Sequence, residues 1–166
     1  METFKRVVGQ EHPDTLTSMG NLASTFGNHR RWKEAEVLEA LVMETRKRVL
    51  GREHPDTLTS MGKLASTYLG QGRLKEAKEL EVQVMESFKR VLSQEHPDTL
   101  TCTGNLASTF WIQGRWKEAE ELDAQVVETR KRVLGQEYPD TLTSMGNLAS
   151  TYLGQGQWKE AEELEV

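Results

Sequence analysis

With 166 residues, 21 Lys plus Arg against 26 Asp plus Glu, and a formal net charge of −5, the chain lacks the basic field that a nucleic-acid binder needs. Its one cysteine, Cys102, excludes a disulfide framework within the chain and fits a reducing, cytoplasmic setting. The start carries no apolar h-region and no stretch approaches the roughly 18 apolar residues that span a bilayer, so no membrane partner is expected.

The chain repeats itself. His-Pro-Asp-Thr-Leu-Thr opens at His12, His54 and His96, and Tyr-Pro-Asp-Thr-Leu-Thr at Tyr138, so prolines 13, 55, 97 and 139 set a period of 42 residues. Self-similarity at this spacing marks stacked units, each unable to bury its apolar face alone, which work through the surface they present. Residues 1–11 match 43–53 (Met-Glu-Thr-x-Lys-Arg-Val) and read as half of a second helix. Repeats follow over 12–53, 54–95 and 96–137, with a partial repeat over 138–166, giving one domain over 1–166. The copies are so alike that recurrence alone says little about function; the positions where they disagree say more.

Each repeat predicts two helices, here called A and B. In the second copy Pro55 suits a first helical turn, and Leu58, Met61, Leu64, Ala65 and Tyr68 share one face, giving helix A over 55–69. Gly70-Gln71-Gly72 ends it, because glycine takes the left-handed conformation without a side-chain penalty. Leu74, Ala77, Leu80, Val84, Met85, Phe88, Val91 and Leu92 form a second stripe, giving helix B over 74–92. In the first copy Arg30 replaces the turn glycine and is expected to be left-handed at a cost of about 1 kcal/mol. In the third copy the acids come early (Glu118, Glu120, Glu121) and the bases late (Arg130, Lys131, Arg132), an order that complements the helix dipole, so the basic cluster reads as helix-end chemistry. The glutamates read mostly as the solvated face of helix B.

Residues 147–161, Asn-Leu-Ala-Ser-Thr-Tyr-Leu-Gly-Gln-Gly-Gln-Trp-Lys-Glu-Ala, resemble the tetratricopeptide repeat signature through Leu148, Ala149, Tyr152, Gly156, Trp158 and Ala161. The longer period and the Leu-Gly-x-Glu-His-Pro-Asp connection at 50–56 are similar to the extended repeats of kinesin light chains and of fungal receptors with nucleotide-binding (NB-ARC) domains. Two departures stand out against kinesin light chains. Glu39, Glu81, Asp123 and Glu165 occupy a helix B position that is commonly aromatic there, and Gly-Asn or Gly-Lys replaces the Asn-Asn of that family's peptide groove. These favour the fungal receptor type.

The resemblance implies an all-α, right-handed superhelical solenoid of antiparallel helix pairs, serving as a protein-interaction scaffold with neither catalysis nor cofactor. It also implies a concave face made mostly by helix A. That assigns partner-binding positions to Asn21 in the first copy; Thr59, Lys63, Ser66 and Leu69 in the second; Thr101, Asn105, Ser108 and Trp111 in the third; and Thr143, Asn147 and Ser150 in the fourth. The expected groove is small-residued, neutral and polar. The asparagines offer paired donors and acceptors to an extended peptide, or form a solvated polar face. Mid-helix Gly20, Gly62, Gly104 and Gly146 each cost about 1 kcal/mol against alanine; they admit a ligand backbone, relieve helix crowding, or are neutral residues spread by duplication. Trp111 with Ile112 is either an interface anchor or a side chain packed on the neighbouring helix.

His12, His54 and His96 recur a whole repeat apart, too far to share a metal, and read as helix-start residues. No phosphate loop, cysteine pair or nucleophile set appears. Apolar Phe4, Val7 and Val8 near one end and Trp158, Ala161 and Leu164 near the other suggest an alternative role, head-to-tail self-association into an array. A cargo adaptor resembling kinesin light chains is a narrower form of the scaffold reading.

Overall fold

The computed structural model describes Gly9 and residues 11–165. The half helix expected over 1–11, with Phe4, Val7 and Val8, lies outside the described residues. Among those described, eight helices follow one another and no strand occurs: α1 Pro13–Asn28, α2 Trp32–Leu50, α3 Pro55–Gly70, α4 Leu74–Val91, α5 Pro97–Ile112, α6 Trp116–Leu134, α7 Pro139–Gln155 and α8 Trp158–Glu165. Odd-numbered helices are helix A of each repeat and even-numbered ones helix B. The observed α3 and α4 differ from the expected spans by one residue at their C-terminal ends.

The repeated connection has a repeated chemistry. His12, His54 and His96 sit at the N-caps of α1, α3 and α5 in extended conformation, and each Nδ1 accepts the backbone N–H two residues on, at 3.2 Å. The histidine thus satisfies one of the orphan donors of the first turn while proline at N1 removes another. Tyr138, at the same place before α7, makes no side-chain cap. Three residues into each A helix a buried threonine ties the helix to the preceding linker: Thr15 donates to the Gly9 carbonyl at 2.9 Å, Thr57 to Gly51 at 2.9 Å and Thr99 to Ser93 at 2.7 Å. The fourth, Thr141, is buried with no partner for its hydroxyl among the described residues.

The A-to-B turns need a left-handed residue, which Gly72, Gly114 and Gly156 supply at φ 75, 71 and 77. Arg30 adopts φ 58 in the first turn, as its replacement of glycine predicts. In the first three turns an arginine stacks its guanidinium on the aromatic ring that closes helix A: Arg31 on Phe26, Arg73 on Tyr68 and Arg115 on Phe110, at 4.4, 4.1 and 4.3 Å from the centroid.

The chain forms two compact units, Met1–Ser87 and Phe88–Val166, divided within α4. In the first, α1 packs on α2, α2 on α3, and α1 on α3. In the second, α5 packs on α6, α6 on α7, α7 on α8, and α5 on α7. Fully buried alanines, Ala23 and Ala35 in the first repeat and Ala107 and Ala119 in the third, bring paired helices close. Around them the first unit buries Leu16, Met19, Val42, Leu58 and Leu64, and the second Leu100, Leu106, Val126, Val127 and Leu148. No helix among the described residues is long and apolar enough to cross a membrane.

Candidate functional site

The second unit places five of the expected residues in one groove. Thr101, Asn105 and Ser108 from α5 face Thr143 and Asn147 from α7 across a cavity of about 280 Å³, with Asp123, Val126 and Arg130 of α6 also lining it. Asn105 and Asn147 are exposed, and their carboxamides offer donors and acceptors to whatever enters. The hydroxyls are less available. Thr101, Ser108 and Thr143 donate back to the carbonyls of Pro97, Gly104 and Pro139 within their own helices, at 2.9, 3.0 and 2.9 Å.

Trp111 and Ser150 sit one turn further along. The Trp111 indole is 44% exposed, yet its Nε1–H donates to the Ser150 carbonyl at 3.3 Å, so it packs on the neighbouring helix and shows the rest of its face to solvent. A Cβ on Gly154 would stand 3.2 Å from the Trp116 indole nitrogen and 3.4 Å from that of Trp111. The ends of α5 and α7 and the start of α6 therefore meet through two tryptophans and a glycine.

In the first unit the corresponding groove is much smaller. Leu16, Thr17 and Gly20 of α1, Glu39, Val42 and Arg46 of α2, and Ser60 and Lys63 of α3 line about 40 Å³. Lys63 is the one expected residue there; Asn21, Thr59, Ser66 and Leu69 stand outside it. The Ser66 hydroxyl is again turned back, to the Gly62 carbonyl at 3.2 Å.

Both grooves differ from the neutral surface expected, because helix B contributes charge to them. Lys131 and Arg132 stand in the last turn of α6, as the helix-end reading of the basic cluster expects, while Arg130 reaches across α5 and α7, donating to Ser144 Oγ at 2.6 Å, the Asp140 carbonyl at 3.0 Å and Thr101 Oγ1 at 3.4 Å. Arg46 does the same in the first unit, to Ser60, the Asp56 carbonyl and Thr17, at 2.9, 3.2 and 3.4 Å. These are straps between successive A helices, each guanidinium serving several acceptors in its fixed fork.

The acids at the position aromatic in kinesin light chains are the second correction. Glu39, Glu81 and Asp123 are 4–5% exposed and do not belong to a solvated face. Asp123 Oδ2 accepts from Thr151 Oγ1 of α7 at 2.9 Å, and Glu39 Oε2 from Thr67 Oγ1 of α3 at 2.6 Å. Burial pushes the Asp123 carboxyl up to about 6, against the opposing hydrogen bond from Thr151. Burial likewise raises Glu39, opposed by the Thr67 hydrogen bond and by the charge of Lys63. A signal for this was in the sequence: each acid stands four residues after the small Ala35, Ala77 or Ala119, on the helix B face that packs.

The mid-helix glycines are not crowded. A Cβ on Gly62, Gly104 or Gly146 would meet nothing within 4 Å, and one on Gly20 would meet only the Lys63 ammonium at 3.8 Å. Helix crowding does not account for them. Gly70 does have a packing reason: a Cβ there would lie 2.6 Å from the Trp32 ring.

Paired helices whose A members face one another across a polar groove define a helical-repeat interaction scaffold. Tetratricopeptide repeat profiles match residues 15–56, 57–98 and 98–165, and the chain belongs to the tetratricopeptide repeat family. It is similar to the solved structure of a Podosopora anserina protein described as a putative kinesin light chain with nearly identical TPR-like repeats: 36% identity over 93% of this chain and 73% of that one, TM-score 0.84. BtubC (BKLC) from P. vanneervenii shares the fold at 18% identity over 92% of this chain and 61% of that one, TM-score 0.80. The apo form of RapI shares it at 9% identity over 98% and 57%, TM-score 0.80. No curated protein sequence gives a significant match. The family and these kinesin light chain-like repeats support a role in protein interaction.

Proposed function

We propose that this chain is a non-catalytic cytoplasmic scaffold that holds an extended segment of a protein partner along its helix A face, chiefly in the groove between α5 and α7. The observation that carries the reading is that Thr101, Asn105, Ser108, Thr143 and Asn147, assigned to a binding face from the sequence, line one open groove of about 280 Å³. Exposed carboxamides on both walls suit the alternating donors and acceptors of an extended backbone. The buried acids at the usually aromatic helix B position favour a repeat of the fungal receptor type over a kinesin cargo adaptor. Panning the chain against a random peptide display library, with an Asn105→Ala, Asn147→Ala double variant as control, tests the reading. A motif that binds the parent and fails on the variant supports it; enrichment indifferent to the variant, or none, refutes it.

A further inference from the structure

The two grooves are built from equivalent positions and differ in one respect that bears on what fills them. Thr17, Gly20, Val42, Arg46 and Ser60 of the first correspond to Thr101, Gly104, Val126, Arg130 and Ser144 of the second, each 84 positions on. Both have a buried acid, Glu39 or Asp123, that accepts a threonine hydroxyl from the next A helix at 2.6 or 2.9 Å. In the first groove Lys63 is part of the lining. Its ammonium comes within 3.8 Å of where a Gly20 Cβ would stand, an ordinary contact distance, and its charge acts on Glu39. Only about 40 Å³ is left.

In the second groove Asn147 replaces Lys63, the space over Gly104 is open, and the cavity is about 280 Å³. Arg130 lines this groove too, but its guanidinium is held by Ser144, the Asp140 carbonyl and Thr101. What Lys63 supplies to the first groove, a slim aliphatic stem ending in an ammonium, is what the second lacks in both volume and charge.

We propose that the groove between α5 and α7 receives a lysine side chain of the partner, with Asp123 as its counter-charge and Asn105 and Asn147 on either side. This rests on the reading of the α5–α7 groove as the peptide site and specifies which side chain it selects. Lysine fits in preference to arginine because the ammonium is a compact point charge on a narrow stem, whereas a planar guanidinium needs a fork of acceptors. A carboxylate buried beside one hydroxyl gains from such a partner more than a solvated one does, since water screens it less. An acidic peptide would meet Asp123 as a like charge.

The test uses the full chain and three capped pentapeptides, Ala-Ser-Lys-Ser-Ala and its norleucine and glutamate counterparts, followed through the side-chain amide resonances of Asn105 and Asn147. The lysine peptide is expected to shift both resonances and to bind at least roughly tenfold more tightly than the norleucine peptide. Asp123→Asn, which keeps an oxygen for Thr151, is expected to erase that preference. Asn147→Lys, a change the first groove already carries at Lys63, is expected to abolish binding. Lys63→Asn is expected to open a second site, doubling the stoichiometry. Equal binding of the norleucine peptide, or a lysine preference that survives Asp123→Asn, overturns the proposal. A display motif that needs Asn105 and Asn147 but contains no basic residue also overturns it while leaving the scaffold reading intact.

Discussion

Replacing Asp123 by Asn removes a buried charge while keeping an oxygen for Thr151, and its effect on stability follows from the raised carboxyl. The shift from 3.8 to about 6 is roughly two pH units. At about 1.4 kcal/mol per unit, ionising Asp123 in the folded chain costs up to about 3 kcal/mol more than in the unfolded chain. Halved for the solvent that reaches the groove, the penalty is about 1.5 kcal/mol. Its sign is set by proton uptake: the folded chain holds the proton more tightly, so the penalty is absent below the ordinary aspartate range, grows as pH rises toward 6, and is complete above it. Asp123→Asn is therefore expected to raise the melting temperature by roughly 3–6 °C near pH 7.5, for a chain of this size. Near pH 4 most of that gain should vanish, as the parent carboxyl is then largely neutral in the folded state. Thermal unfolding followed by far-ultraviolet circular dichroism across this range measures both. A variant less stable than the parent near neutral pH, or a gain that does not change with pH, refutes the reasoning. Because the same substitution is expected to weaken lysine binding, stability and binding should move in opposite directions.

Two glycine-to-alanine changes should have opposite signs. Gly104→Ala adds a methyl group to open space in mid-helix and is expected to stabilise by about 0.5–1 kcal/mol in urea unfolding; a loss would show that the backbone there is not free to carry a Cβ. Gly70→Ala sets a Cβ 2.6 Å from the Trp32 ring and is expected to cost about 1–2 kcal/mol, with Trp32→Leu restoring most of the loss. One repeat on, the sequence itself has Leu74 and Ile112 at the positions of Trp32 and Gly70, and an unrescued double variant would break the argument. Ser93 stands at φ 139 where Gly51 and Gly135 sit at 97 and 98, so Ser93→Gly is expected to gain up to about 1 kcal/mol in the same assay; no gain would show that the serine is unstrained there. Removing the cap, His54→Ala, is expected to cost about 1 kcal/mol, and supplying the missing one, Tyr138→His, to gain a similar amount; equal stability of both variants and the parent would show that the Nδ1 acceptor contributes nothing.

The helices, their turns and their caps were legible because their causes are local. A proline at the first turn, an apolar stripe at helical spacing and a glycine past the end act within four residues, and Arg30 and Ser93 each stand at a positive φ where other copies have glycine. Repetition pointed to stacked units, since a unit of this period cannot bury its face alone, and the signature residues at 147–161 carried the family resemblance. The helix A residues of the open groove followed from the family pattern. What the sequence left undecided was which polar side chains turn inward. Glu39 is buried because Thr67 meets it from the next A helix, and Asp123 because Thr151 does, each partner 28 residues away. Arg130 reaches a groove, not solvent, because Ser144 lies 14 residues on in α7. Lys63 lines the smaller groove and Asn147 the larger only once α1 with α3, and α5 with α7, stand side by side. Local free energy fixes where a helix starts and stops; the fate of a charge is set by the dielectric and partners that packing brings to it, and those come from elsewhere in the chain.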